Sequence, residues 1–121
     1  MNREMCRAKI HGATITEANL YYLGSITIDQ DLLDAADVLP YEKVQVVNLN
    51  NGERLETYAI SGERGSGCVR LNGAAARHAH VGDKVIVMTF ASVTDAEARA
   101  WKPRVIFLDE RNRMTRNAAA E

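Results

Sequence analysis

Lys43-Val44-Gln45-Val46-Val47-Asn48-Leu49 is followed by Asn50-Asn51-Gly52-Glu53 and then by Arg54-Leu55-Glu56-Thr57-Tyr58-Ala59-Ile60. Both arms alternate apolar with polar residues, the two-residue period of a strand with one face in a core. Asn51-Gly52 between them accepts the positive φ angles of a tight turn. The stretch therefore predicts a β-hairpin. Its opening, Glu42-Lys43-Val44-Gln45-Val46, is similar to Asp83-Lys84-Val85-Ile86-Val87, and each block follows a short helix and a turn. Two such halves suggest a small pseudo-symmetric β-barrel. The plainer alternative is that an acidic residue, Lys and Val are common at strand entries.

The rest of the chain also reads as short strands with a few short helices. Lys9-Ile10-His11-Gly12-Ala13-Thr14-Ile15 is strand-like, with Gly12 marking a bulge or a close approach. Ile26-Thr27-Ile28 is a strand, and Asp29 can cap a helix through Ala36. After the glycine-rich loop Ser61 to Gly67, Cys68-Val69-Arg70-Leu71 is a strand. Asn72 stands near the cap of a helix that starts at Gly73. Asp83 to Phe90 is the clearest buried strand. Thr94-Asp95-Ala96-Glu97 fits a capping box that opens a helix through Trp101, stopped by Pro103. Arg104 to Leu108 is a last strand. The polar, Ala-rich tail, about 111–121, is expected to fray.

Composition narrows the function classes. At 121 residues and 46% apolar, the chain is one domain with enough length for one core. It carries 15 Lys+Arg against 16 Asp+Glu, so no global basic field points to nucleic acid. No apolar run approaches the roughly 20 residues that span a bilayer. The first residues lack the apolar core of a signal peptide, so secretion is not expected and a cytoplasmic location is. Cys6 and Cys68 are then expected as thiols. His11, His78 and His80 match no metal-binding spacing, so no metal site is expected; His78 and His80, two apart, suit a strand face.

Gly-Ser occurs twice. Gly65-Ser66 lies among other glycines and reads as a turn. Gly24-Ser25 lies between Tyr21-Tyr22-Leu23 and Ile26-Thr27-Ile28, both strand-prone, where glycine implies an unusual backbone angle or a close approach.

Here the residues resemble a known family. Tyr22-Leu23-Gly24-Ser25-Ile26-Thr27-Ile28-Asp29 is similar to the self-cleavage segment of bacterial aspartate 1-decarboxylases, the pyruvoyl enzymes that make β-alanine. Lys9-Ile10-His11, Asn51-Gly52-x-Arg54-x-x-Thr57-Tyr58-Ala59-Ile60, Gly62-Glu63-Arg64-Gly65-Ser66, Leu71-Asn72-Gly73-Ala74-Ala75-Ala76 and Glu97-Ala98-Arg99-x-Trp101-x-Pro103 match further blocks, in order and spacing. The match runs from about residue 1 to about residue 114. Val47 departs from the aromatic found at that place in some members, and the tail is unrelated.

The resemblance implies a mainly β, six-stranded double-psi β-barrel with short helices, assembled as a homotetramer with sites at subunit boundaries. It implies a single domain over 1–121 that cleaves itself between Gly24 and Ser25 into residues 1–24 and 25–121. The Ser25 hydroxyl would attack the Gly24 carbonyl to give an ester. β-Elimination and hydrolysis would then leave a pyruvoyl group at position 25. That group would form a Schiff base with L-aspartate and withdraw electrons as CO₂ leaves, yielding β-alanine for pantothenate synthesis. Tyr58 is implied as proton donor; phenols are protonated at neutral pH. Thr57, Arg54, Lys9 and the Gly73-Ala74-Ala75 backbone are implied around the substrate. Tyr22, Asn72 and His11 are supporting residues. Thr57 is the candidate oxyanion donor for self-cleavage, and no base is obvious. Thr57 and Tyr58, as strand neighbours, point to opposite faces. A helper protein for maturation is left open. Two other readings stay open: the same chemistry on another small amino acid, or a non-enzymatic barrel that binds a partner.

Overall fold

The computed structural model describes residues 1–21 and 24–118. Among the described residues nine strands carry the fold: β1 (Asn2–Thr14), β2 (Glu17–Asn19), β3 (Ser25–Asp29), β4 (Lys43–Asn48), β5 (Arg54–Gly62), β6 (Val69–Asn72), β7 (Lys84–Thr94), β8 (Arg104–Leu108) and β9 (Met114–Ala118). The short helices are α1 (Gln30–Ala36), α2 (Asp95–Arg99) and a 3-10 helix over Gly73–His78. The strands hydrogen-bond in the order β2-β6-β3-β5-β4-β7-β1-β8-β9, which is open between β2 and β9.

The hairpin forms as expected: β4 and β5 pair antiparallel, with Val46 opposite Leu55. The positive φ of the turn falls on Gly52, at 75°. The two similar blocks lie side by side, since β4 pairs antiparallel with β7 and Val46 stands opposite Val87, its counterpart in the second block. Parallel pairs, β3 with β5 and β1 with β8, flank this centre. Gly12 sits at a register shift between His11 and Ala13 with φ 82°, the expected bulge.

Period-two alternation decides which side chains enter the core. On β3 and β6, Ile26, Ile28, Val69 and Leu71 point inward and are fully buried beside Ile10, Leu33, Val44, Val85 and Ile106. Each buried side chain of this size contributes roughly 1.5–3 kcal/mol. Ser25, Thr27, Arg70 and Asn72, the alternate residues, share the other face.

Local polar chemistry fixes the helices. The Asp29 carboxylate accepts from Asp31 N at 2.8 Å, capping α1. It also accepts from Gly65 N at 3.1 Å and Gly67 N at 2.8 Å, which ties the glycine loop to the start of α1. Thr94 and Glu97 form the full capping box of α2. That helix ends at Arg99, two residues earlier than the sequence suggests, and Trp101 instead packs back so that its Nε1 donates to Cys6 O at 2.7 Å.

Four expectations are corrected. β1 begins at Asn2, because its N-terminal half pairs with the far end of β7. The chain does not fray from residue 111. Buried Asn112 accepts from Thr14 N at 2.7 Å and donates to Thr14 O and Gly67 O, and β9 then pairs with β8. His78 closes the 3-10 helix and His80 precedes a turn, so the two share no strand face. Asn72 precedes the 3-10 helix without capping it through its side chain.

Candidate active site

The site is built on the outward face of the three neighbouring strands β6, β3 and β5. Ser25 stands directly opposite Asn72, and Thr27 opposite Arg70. On the other side Thr27 stands opposite Ile60, which places Tyr58 in the row of Ser25. These residues, with Tyr41 and Ser61, line a cleft of about 390 Å³.

Ser25 is 1% exposed. Its Oγ accepts from Asn72 Nδ2 at 2.9 Å, and the same nitrogen reaches Thr27 Oγ1 at 2.9 Å. The Asn72 amide is therefore spent on the neighbouring strand, which is why it does not cap the 3-10 helix. Its donation leaves the Ser25 hydroxyl proton unengaged by that bond.

Gly24, just before it, is exposed, and a Cβ built there would meet nothing within 4 Å. Its φ is not in the left-handed region, so the unusual backbone angle expected from the sequence is not found. What the position offers is open space beside its Cα.

Tyr58 is 38% exposed and stacks on Tyr41 with ring centroids 6.4 Å apart. Tyr41 holds an uncommon φ of 72°. Two hydrogen bonds to Ala59 hold this segment: Tyr41 N donates to Ala59 O at 2.6 Å, and Glu42 O accepts from Ala59 N at 3.0 Å. The Glu42 carboxylate is anchored in turn by Arg7 Nη2 at 2.7 Å and Thr89 Oγ1 at 2.9 Å. Burial pushes the Glu42 carboxyl up, but the Leu39 N–H, Arg7 and Thr89 together hold it below the ordinary glutamate value.

The structure gathers only part of the expected set. Ser25, Tyr58 and Asn72 line the cleft, and Gly73, Ala74 and Ala75 follow Asn72 directly. Gly73 takes φ 61° at the start of the 3-10 helix. Thr57 does not line the cleft; alternation turns it to the face shared with Leu55 and Ala59. Arg54 is exposed at the start of β5 and donates to Gln45 Oε1 at 2.6 Å. Lys9 and His11 lie on β1, with β5, β4 and β7 between it and β3 in the strand order. His11 packs on Phe107 with centroids 5.4 Å apart, and its buried Nδ1 has no hydrogen-bond partner among the described residues. Tyr22 lies outside the described residues.

Sequence reading missed Tyr41, Thr27, Ile60, Ser61 and Arg70 as cleft residues. For Arg70 a signal existed. It sits between Val69 and Leu71, so alternation alone turns it away from the core.

The profile of the aspartate decarboxylase family matches residues 1–115. The chain belongs to this family. It is 63% identical over its whole length to the aspartate 1-decarboxylase of Heliobacterium modesticaldum, covering 92% of that protein. It is 60% identical, again over its whole length, to the Ruminiclostridium cellulolyticum protein of the same name, covering 94% of it. With the Listeria monocytogenes aspartate 1-decarboxylase it shares 60% identity over 93% of the chain and 88% of that protein. The family's enzymes are carboxy-lyases on a double-psi β-barrel, and the mainly β architecture with short helices agrees with that fold. Among the described residues no helix is long and apolar enough to cross a membrane, and no group of three His, Cys, Asp or Glu side chains could hold a metal ion.

Proposed function

We propose that this chain is an aspartate 1-decarboxylase that converts L-aspartate to β-alanine and CO₂ with a pyruvoyl group made from its own Ser25. The observation that carries the reading is the placement of Ser25. Its hydroxyl is buried, held by Asn72, set in the same cleft as Tyr58, and preceded by an exposed glycine.

In maturation, Ser25 Oγ attacks the Gly24 carbonyl carbon, and the C–N bond breaks as the C–O bond of an ester forms. Loss of the Ser25 α-proton expels residues 1–24 as a carboxylate. The resulting dehydroalanine takes up water and releases ammonia, leaving the pyruvoyl group. Asn72 orients Oγ, and the small Gly24 leaves its carbonyl accessible. Thr57 as oxyanion donor and His11 as a supporting group are carried from the family resemblance.

The position suits such a group, since its surroundings are buried, polar on one side and open to a cleft on the other. A pyruvoyl carbonyl there supplies the electron-withdrawing centre that lets a substrate amine be held and a carboxylate leave. The chain's residues do the rest. Tyr58 hands a proton to the substrate α-carbon after CO₂ departs. The Gly73 to Ala75 backbone, Arg54 and Lys9 bind the carboxylates.

Lys9, Arg54 and Thr57 stand outside the cleft of one chain. A second copy facing the exposed Tyr41–Tyr58 pair is the simplest way to complete it, in keeping with a homotetramer. Tyr22 belongs with the supporting residues. A cytoplasmic enzyme that supplies β-alanine for pantothenate follows from the same reading, with or without a maturation helper.

The test is release of β-alanine and CO₂ from L-aspartate by the purified chain, with Ser25→Ala as control. Preference for L-glutamate or cysteine sulfinate would move the reading to another substrate. No turnover of any of the three would contradict it.

A further inference from the structure

Leu39-Pro40-Tyr41-Glu42 is a turn, closed by Glu42 N donating to Leu39 O at 3.1 Å. Proline presets the second position of such a turn, and a positive φ at the third ordinarily calls for glycine or asparagine. This chain puts a tyrosine there, at φ 72°. A bulky residue in that conformation is strained and persists only where its surroundings hold it. Here they do. Tyr41 N and Glu42 O both bond to Ala59, the residue after Tyr58 on β5. Glu42 Oε1 accepts from Leu39 N at 3.0 Å within the turn, and Oε2 accepts from Arg7 on β1 and Thr89 on β7. The turn is thus tied to three strands. The tyrosine side chain gains little by burial, being 79% exposed. Its ring stacks on Tyr58, with the planes 30° apart, on the wall of the cleft that also holds Ser25. Turn preference does not account for a tyrosine at this position; the contact with Tyr58 does.

We propose that Tyr41 is a positioning residue, whose ring holds the Tyr58 phenol in the orientation from which it protonates the substrate carbon. The inference rests on the decarboxylase reading above, with Tyr58 as proton donor. Tyr58 projects from the outward face of β5 and is half-exposed, so the sheet itself leaves its side-chain torsions free. Lys43, its partner across the β4–β5 pair, is turned to Glu56, with Nζ 2.8 Å from Oε2. A flat ring stacked on one side removes the orientations that would swing the phenol away. Proton transfer needs donor and acceptor within about 2.6–3.2 Å. A wandering phenol therefore loses rate even when its acidity is unchanged. Because the Tyr41 backbone is locked to β5, the two rings are set against each other before substrate arrives. The role needs only the ring of Tyr41; the proton comes from Tyr58.

The experiment is a double-mutant cycle on the processed enzyme, with Tyr41→Gly, Tyr58→Phe and the two combined. Glycine accepts the positive φ, so Tyr41→Gly removes the ring while sparing the backbone. Intact mass shows that each variant has cleaved at Gly24, so that kcat refers to matured chains. Tyr41→Gly is expected to lower kcat for L-aspartate about tenfold, with KM within about twofold of the parent. Tyr41→Phe, which keeps the ring, should recover most of the loss. Added to Tyr58→Phe, Tyr41→Gly should lower kcat no further, because the donor it positions is already gone. A kcat within about twofold of the parent in Tyr41→Gly overturns the proposal. So does a Tyr41→Phe that recovers nothing. An undiminished further loss in the double variant also overturns it, since Tyr41 would then act through folding or subunit assembly and not through Tyr58. Should Tyr41→Gly not fold, Tyr41→Asn, which also accepts a positive φ, takes its place with the same outcomes. A parent that releases no β-alanine from L-aspartate overturns the decarboxylase reading and this inference with it. An active parent with an unaffected Tyr41→Gly overturns this inference alone.

Discussion

Asn72 Nδ2 donates to Ser25 Oγ at 2.9 Å across the antiparallel β3–β6 pair, and the same nitrogen reaches Thr27 Oγ1. One side-chain amide therefore holds two buried hydroxyls on a neighbouring strand. Burial removes the water that would otherwise serve them, so the amide is both a structural tie and an orienting group for the reacting oxygen.

Asn72→Ala should separate these roles only partly. It leaves two buried hydroxyls without their donor, at a cost of about 1–3 kcal/mol. The expected results are a lowered thermal midpoint and a full-length chain that persists where the parent has cleaved. Intact mass at matched times after purification reads the second, and cleavage at the parent rate would show that Asn72 does not orient Ser25.

Tyr58→Phe removes the phenol oxygen but keeps the ring stacked on Tyr41. Cleavage at Gly24 should proceed, while decarboxylation should fall by about 10²–10⁴-fold, the usual contribution of a positioned acid. The loss should appear in kcat with little change in KM. Steady-state kinetics on the cleaved protein decide this, and near-parent kcat would remove Tyr58 from the role of proton donor.

Glu42 gives a pH signature. Its folded-state carboxyl sits below the ordinary value of 4.5, so its stabilisation is fully present above that value and is lost as pH falls through the lower folded value. Glu42→Gln should therefore lower the melting temperature at neutral pH. The gap from the parent should narrow at about pH 3. Calorimetry at both pH values tests it, and a gap that does not narrow would show that the charge contributes nothing.

Gly67 is fixed from both sides, by Asp29 on its N–H and by Asn112 on its carbonyl. Its φ is 69°, and a Cβ there would lie 2.8 Å from the Arg111 carbonyl oxygen. Gly67→Ala should cost more than about 1 kcal/mol. Urea unfolding with an unchanged m-value would show the effect, and a midpoint equal to the parent's would contradict the close approach.

The features that could be read in the sequence are the ones set by near neighbours. The β4–β5 hairpin, the Asp29 cap and the Thr94–Glu97 capping box each need only a few consecutive residues. Ser25 and Tyr58 stand out because the motifs around them resemble a family, while their residue types alone suggest a bulge and a packing residue. What escaped the sequence depends on pairing across distant segments. Asn72 looks like a helix cap because Asn caps helices, yet the residue opposite it on β3 claims its amide. Arg70 is visibly turned from the core, but only the β3–β6 register shows that its face is the cleft. Tyr41 enters through a positive φ that no periodic pattern announces. Asn112 anchors a segment whose composition suggests fraying, because its partners are more than forty residues away.

Everything in the chemistry depends on Ser25 becoming the reactive carbonyl. Denaturing intact-mass analysis of the purified chain, before and after prolonged warming, tests it most directly. Two fragments divided between Gly24 and Ser25 are expected, the larger lighter by one ammonia than a chain beginning with serine, with a single uncut mass for Ser25→Ala. A parent chain that keeps one full-length mass after warming, and after addition of extract from its source cells, would contradict it.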